Sequence, residues 1–326
     1  MSMFDEAQLD QPGKVRRSKD GRPYVKRPCP NAVESTLDDD VPICREGRVP
    51  SEKRPGQTVQ CPGCKGLGYV EKLYTRCTSF VGVLDDRSNL EKWRQRVTLV
   101  GLGVDHRLLT ELGAADPDDR ETLDGLADQA FEVGDGHVRA QKGTDLHALT
   151  ELVDQGEPLP DRLFDPEREE WRPVTLQDRA DMAAYHRVMT ESSLEVVQSE
   201  LFVVNDEYRI GGTLDRVVWD TTGTDCCAKP MILDVKTGRV DYGAGKIAMQ
   251  LAVYANSQRY DPDTGERTPL GVCTHVGLAL HLPQGTGTAS LLVADIAAGW
   301  ESVALCDQVR KFRNVSKSWL KSLQSE

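Results

Sequence analysis

No run in this 326-residue chain approaches 18 uncharged apolar residues, so nothing in it reads as a membrane-spanning helix. The opening, MSMFDEAQLDQPGK, has no apolar stretch after a basic start, which gives the expectation of no secretory leader. Positive charge is not in excess: 40 Lys and Arg against 52 Asp and Glu leave a net −12. A generally basic coat for nucleic acid is thereby excluded, while a local basic patch is not. No internal repeat marks a solenoid or propeller. Gly243-Ala-Gly-Lys246 lacks the rest of a phosphate-binding loop, which excludes a nucleoside triphosphatase. What remains is an ordinary globular composition, 39% hydrophobic and 28% charged. The length suits about two units or one elaborated domain, at roughly 150 residues each. The cysteines number nine. An odd count without a leader points to a reducing compartment, the cytoplasm, with thiols or metal ligands and no disulfide framework.

Charge and pattern divide the chain. Residues 1–28 hold Lys14, Arg16, Arg17, Lys19, Arg22, Lys26 and Arg27 around Asp20, and read as a basic flexible tail. Residues 29–76 form a small Cys-rich module that needs a metal or a partner surface to order it. From residue 77 to 326 a larger domain begins. Helical spacing covers 89–100, pieces of 105–155, and 176–189, and 156–174 reads as a surface excursion. Strand patterns follow at 200–204, 208–219 and 231–236. The last is almost wholly apolar and is expected to be central and buried. A helix over 244–259, strands at 272–282 and 289–293, and a terminal helix at 300–323 complete the pattern. The expected buried stripe of that helix is Leu305, Val309, Phe312, Trp319 and Leu323.

Asp234 and Lys236 stand two apart on the central strand and therefore share a face. An isolated pair of this kind reads as a strand-end salt bridge, but Asp215 lies on the preceding strand. A hairpin would bring Asp215 and Asp234 together, and converging carboxylates suit a hard divalent cation. Lys236 would then hold a water or a phosphate. His147 follows a glycine break at Gly143; it is either structural or, as a neutral imidazole, part of the metal shell. Gln250 and Tyr254, four apart on a helix, share one face; the plain reading is a polar helix edge. Glu200 reads equally as an outer ligand or a solvated strand end.

His147, Gly212-Thr213-Leu214-Asp215, Leu233-Asp234-Val235-Lys236-Thr237-Gly238 and Gln250-Leu-Ala-Val-Tyr254, in that order, resemble the PD-(D/E)XK nuclease superfamily. The branch they look like is the RecB-like and CRISPR-associated exonuclease group with its phage members; the likeness covers about residues 75–300. It implies an α/β fold: a restriction-endonuclease-like core whose central mixed sheet is flanked by helices, here with a small N-terminal Cys-containing, zinc-knuckle-like module. It implies a Mg²⁺- or Mn²⁺-dependent deoxyribonuclease, an exonuclease of DNA recombination, repair or end processing. Asp215, Asp234 and Lys236 would be catalytic. His147, Asp215, Asp234 and the Val235 carbonyl would hold the metal, and Gln250 and Tyr254 would support the site or the DNA end. DNA is the implied partner, with a recombination or helicase partner beside it and no membrane. The alternative is a catalytically inactive, zinc-containing DNA-binding accessory protein of recombination. Relatives often hold an iron–sulfur cluster through one early cysteine and three near the C-terminus. Only Cys306 lies in the last fifty residues here, so the usual cluster is not expected.

Cys61-Pro-Gly-Cys64 is a knuckle of the kind that suits tetrahedral zinc. Cys29 and Cys44 are the candidates for the other two ligands, with Cys77 and His106 in reserve. The plain reading is a glycine-rich loop with free thiols. Cys226-Cys227 falls in a loop, and Cys273 and Cys306 read as core residues.

Overall fold

The computed structural model describes residues 14–32, 43–51, 53–165, 168–223 and 228–320. Among these, four short strands open the chain: β1 (Tyr24–Pro28), β2 (Arg48–Pro50), β3 (Thr58–Gln60) and β4 (Tyr69–Leu73), with β5 (Thr75–Arg76) directly after. Five helices follow: α1 (Cys77–Val81), α2 (Ser88–Val104), α3 (His106–Ala114), α4 (Arg120–Val133) and α5 (Val138–Asp154). A hairpin of β6 (Arg162–Asp165) and β7 (Glu170–Pro173) leads to α6 (Leu176–Glu191), and then to β8 (Leu194–Asn205), β9 (Ile210–Asp220) and β10 (Met231–Lys236). Helix α7 (Ala244–Ala255), β11 (Gln258–Tyr260), β12 (Arg267–Pro269), β13 (Val276–His281), β14 (Ser290–Asp295) and α8 (Ile296–Val315) end it. No helix of the described residues is long and apolar enough to cross a membrane.

The architecture is mixed α/β. The main sheet runs β12-β11-β8-β9-β10-β13-β14, with β5 added beside β9. Strands β10 and β13 are parallel, as are β5 and β9; the other neighbours are antiparallel. Strand β10 is central for the reason its sequence gives: Met231 through Val235 are all buried, which only a strand covered on both faces allows. One face packs Val217 and Ile232 against α1, α7 and α8 through Phe80, Leu251, Val253 and Val303. The other packs Leu233 and Val235 against α5 and α6 through Leu146, Leu149, Met182 and Tyr185.

Two expectations are corrected and one, the surface excursion, gains an element. The basic stretch up to residue 28 is not a free tail where it is described. Strand β1 pairs with β4 in antiparallel register, and Val25 and Tyr74 bury themselves against Val204 and Tyr260 of the main body. The surface excursion at 156–174 carries the β6–β7 hairpin. The terminal helix buries Ile296, Gly299, Val303 and Cys306, while Leu305, Phe312 and Trp319 of the expected stripe are exposed. The reason is a close approach: a Cβ on Gly299 would stand 2.6 Å from the Ala248 carbonyl oxygen. Helix α8 thus meets α7 along a glycine, which hydrophobic periodicity does not see. Leu323 and the pair Cys226-Cys227 lie outside the described residues.

Candidate functional site

The site is built where the sheet opens. Strand β9 pairs with β10 from Val218 to Arg216, and with β5 at Gly211 and Ile210. Between those stretches neither strand pairs with residues 212–215, and a cavity of about 410 Å³ occupies the gap. Its walls include Arg17, Arg76, His147, Asp215, Lys236 and Gln250. Asp234, Val235 and Tyr254 also line it. Of the residues singled out from the sequence, seven therefore share one cleft. They come from four elements: α5, β9, β10 and α7.

Each side chain is placed by a local cause. Past Leu233 the β9–β10 ladder stops, and the Val235 N–H donates to Asp215 Oδ2 at 2.8 Å instead. Asp215 thus substitutes for a missing strand partner, and the same oxygen lies 3.4 Å from His147 Nδ1. Helix α5 brings His147 in from one face of the sheet, and α7 brings Gln250 and Tyr254 from the other. The Gln250 side chain joins three groups. Its amide donates to Asp234 Oδ1 at 3.0 Å and to the Tyr254 hydroxyl at 3.4 Å, and its oxygen accepts from Lys236 Nζ at 3.1 Å. Gly212 makes room for this arrangement. A Cβ there would stand 2.9 Å from Tyr254 Cε1 and 3.1 Å from Cys77 Cβ.

The electrostatics are those of crowded carboxylates. Asp234 is buried. Burial, and after it the charge of Asp215, pushes its carboxyl up to about 6, against the pull of Lys236. Its Oδ2 lies 2.6 Å from the Lys236 ammonium, but not in hydrogen-bonding alignment, so this buried oxygen accepts no hydrogen bond. His147 is held below its ordinary value, chiefly by burial and further by Arg216 and Lys236, although Asp215 and the Val235 backbone act the other way. Its imidazole is therefore neutral near pH 7.

Glu200 is not part of the cleft wall, and it does not begin its strand. It sits within β8 at a φ of 51°, between the Ser199–Arg216 and Leu201–Leu214 pairs. Partial burial and the charges of Asp215 and Glu151 raise its carboxyl to about 7, while the side chain still reaches solvent. Sequence reading missed the support beneath Asp215. Arg216 is fully buried; its Nε donates to Asp154 Oδ2 at 2.7 Å and its Nη2 to Thr150 Oγ1 at 2.8 Å. Tyr185 donates to the other Asp154 oxygen at 2.7 Å. An arginine beside the motif aspartate in a strand of apolar neighbours was the available signal, because a buried cation needs a partner.

A second centre lies in the N-terminal module. Cys29, Cys44, Cys61 and Cys64 are buried, and their sulfurs all lie within 4.8 Å of one another. The contacts Cys29–Cys61 and Cys44–Cys64 both measure 3.7 Å. Two edges of that length, in a cluster this tight, are compatible with four thiolates around one metal ion such as zinc. The Gly68 N–H points at Cys64 Sγ from 3.3 Å and the Asn31 amide at Cys61 Sγ from 3.8 Å. Burial opposes ionisation of Cys61, but the N–H groups of Cys64 and Gly63 with the adjoining thiols outweigh it and bring the thiol down to about 7. Burial and the neighbouring thiols push Cys44 up to about 12. The four residues are those expected from the knuckle; Cys77 is instead buried in the cleft wall. Among the described residues this is the one set of three or more His, Cys, Asp or Glu ligand atoms that close together. His147, Asp215 and Asp234 face a common cleft without being drawn that tight.

No protein-family model matches the chain, and no curated protein matches it. Among solved structures, the crystal structure of SSO0001 is similar at 14% identity, over 52% of this chain and 70% of that one, with a TM-score of 0.21. A likeness of that size assigns neither fold nor function.

Proposed function

We propose that this chain is a divalent-cation-dependent deoxyribonuclease with a restriction-endonuclease-like core, acting on DNA in recombination, repair or end processing. One observation carries the reading: Asp215, Asp234 and Lys236 meet His147, Gln250 and Tyr254 in a single cleft at the open edge of β9 and β10. The residues suit a hard cation such as Mg²⁺ or Mn²⁺. Asp234 Oδ2 is buried with the Lys236 ammonium 2.6 Å away, and two carboxylates are close enough for one to hold the other's proton affinity up. Mg²⁺ asks for only one or two carboxylates, with water filling its other positions. Asp215, Asp234, His147 and the Val235 carbonyl would hold it, and when bound it would stabilise charge on the phosphate and lower the pKa of water.

The chain's own groups do the remaining work. Lys236, one quarter exposed along its side chain, presents its ammonium to the cleft, where it would hold the attacking water and offset phosphate charge. Gln250 fixes Lys236 and Asp234 relative to each other. The Val235 N–H holds Asp215 toward β10 through its Oδ2. The neutral His147 offers a lone pair and no competing positive charge.

Digestion of end-labelled linear DNA and closed circular DNA with Mg²⁺ or Mn²⁺, beside Asp234→Ala, tests the proposal. Loss of linear DNA with wild type alone supports it, and sparing of closed circles makes it an exonuclease. If both proteins bind DNA and neither cuts, the accessory-protein alternative replaces it.

A further inference from the structure

The cleft has a second wall that the mechanism above leaves unused. Arg17 and Arg76 line it together, and both come from the N-terminal region. Residues 14–23 run as a strap across the start of β9. Arg17 bridges to Pro23, and the Tyr74 N–H donates to the Pro23 carbonyl at 2.9 Å. A Cβ on Gly211 would stand 2.9 Å from Pro23 Cγ, so this glycine lets the strap lie flat. Strand β5 then zips Arg76 against Gly211. The two guanidiniums are thereby set beside each other at the open edge of the sheet.

Their partners are few. Arg17 donates to the Gly21 carbonyl at 3.2 Å, and its guanidinium stands 5.7 Å from the Phe202 ring. Among the described residues neither arginine forms an ion pair. Asp20 feels the charge of Arg76, and its hydrogen bond to Ser18 and the charges of Arg22 and Arg76 hold its carboxyl low; across the same cleft stand Asp215 and Asp234. Burial and the charge of Arg76 make Arg17 a weaker base than usual, with Tyr254 acting against them. Like charges held together in a cleft are unfavourable unless something anionic comes between them. Planar guanidiniums suit phosphate oxygens in a way that a point charge does not.

We propose that Arg17 and Arg76 form a phosphate subsite beside the carboxylate centre, and that it takes a backbone phosphodiester of the DNA neighbouring the one cut. The inference rests on the nuclease reading and deepens it. It assigns to the N-terminal strap the job of gripping the strand, while β9, β10 and α7 carry the chemistry.

The test is fluorescence anisotropy with labelled single-stranded and duplex oligonucleotides, in Ca²⁺ in place of Mg²⁺, over a range of KCl. Wild type, Arg17→Gln, Arg76→Gln, the double variant and Arg17→Lys are compared, with Arg187→Gln on the outer surface of α6 as control. Each lost phosphate contact lowers the slope of log affinity against log salt by about 0.7–0.9. The double variant is expected to bind about tenfold or more weakly, Arg17→Lys to keep the wild-type slope, and Arg187→Gln to match wild type. Arg76 is exposed on a strand edge, so Arg76→Gln reads the subsite even if a change at Arg17 loosens the strap. Wild-type slope and affinity in Arg76→Gln and in the double variant overturn the subsite while leaving the nuclease reading intact. A wild type that neither binds nor cuts DNA overturns the reading beneath it.

Discussion

Replacing Cys61 with serine should uncouple the N-terminal module from the rest of the molecule. The module's interior consists of Cys29, Cys44, Cys61, Cys64 and Val49, with Val70 against them. Two valines contribute at most about 2 kcal/mol each by burial. A structural zinc site in a small module contributes about 10–16 kcal/mol, so an ion held by the four thiols would outweigh apolar contact in ordering this segment. The wild-type chain is expected to carry one zinc, with X-ray absorption reading four sulfurs at the usual zinc–thiolate distance of about 2.3 Å. Cys61→Ser should give up its zinc to a mild chelator. Limited proteolysis should then cut between β2 and β4, while a fragment holding the main sheet survives. Cys273→Ser provides the control, because Cys273 is buried among apolar residues of the other core, away from the four-thiol cluster. If Cys61→Ser kept a full zinc complement and wild-type protection, the four thiols would not be the module's organising centre. Equal protease resistance of wild type with and without metal would refute it as well.

Three further outcomes follow from the geometry. The Asp234 carboxyl sits at about 6, above its ordinary value of 3.8. The folded chain therefore binds more protons than the unfolded chain between these values, and without divalent cation its stability falls as pH rises through that window and levels off above it. Urea titrations should show wild type losing about 1–3 kcal/mol against Asp234→Asn across it; parallel curves would refute the assignment. Arg216→Ala strands Asp154 in the interior and should cost about 3–5 kcal/mol in urea unfolding; a cost under about 1 kcal/mol would show that water compensates. Gly212→Ala drives a methyl against Tyr254 and Cys77. It should cost about 1–3 kcal/mol and reduce cleavage further than a surface change of equal cost in stability, measured by single-turnover digestion.

The sequence was most informative where burial is one-dimensional. The apolar run 231–236 returns as β10 with unchanged limits, because a strand covered on both faces needs no partner pattern to be seen. Strand alternation and the hairpin could group Asp215, Asp234 and Lys236; His147, Gln250 and Tyr254 joined them only through the order of motifs that carries the family resemblance. Arg17 and Arg76 could not be grouped with them, since their position depends on a strap folding back over Gly211, and no local period encodes that contact. The short strands β11 and β12 escaped for a related reason. Asp261-Pro-Asp-Thr-Gly265 between them is a strong turn signal, yet each arm is only three residues long. Glu200 read as a strand end because its strand continues backward through Glu195 and Gln198, polar positions on an irregular stretch with a register shift.

The strap has one more consequence, which concerns the order of assembly during synthesis. The Lys26 N–H donates at 2.8 Å to the hydroxyl of Tyr260, 234 positions later. Arg76 waits for β9, and the cleft waits for Gln250 on α7. Contacts so distant in the chain close late in folding. The first strand can pair with β4 early, but its docking on Tyr260 must wait until more than three quarters of the molecule has been made. Until then the walls of the cleft have not been brought together.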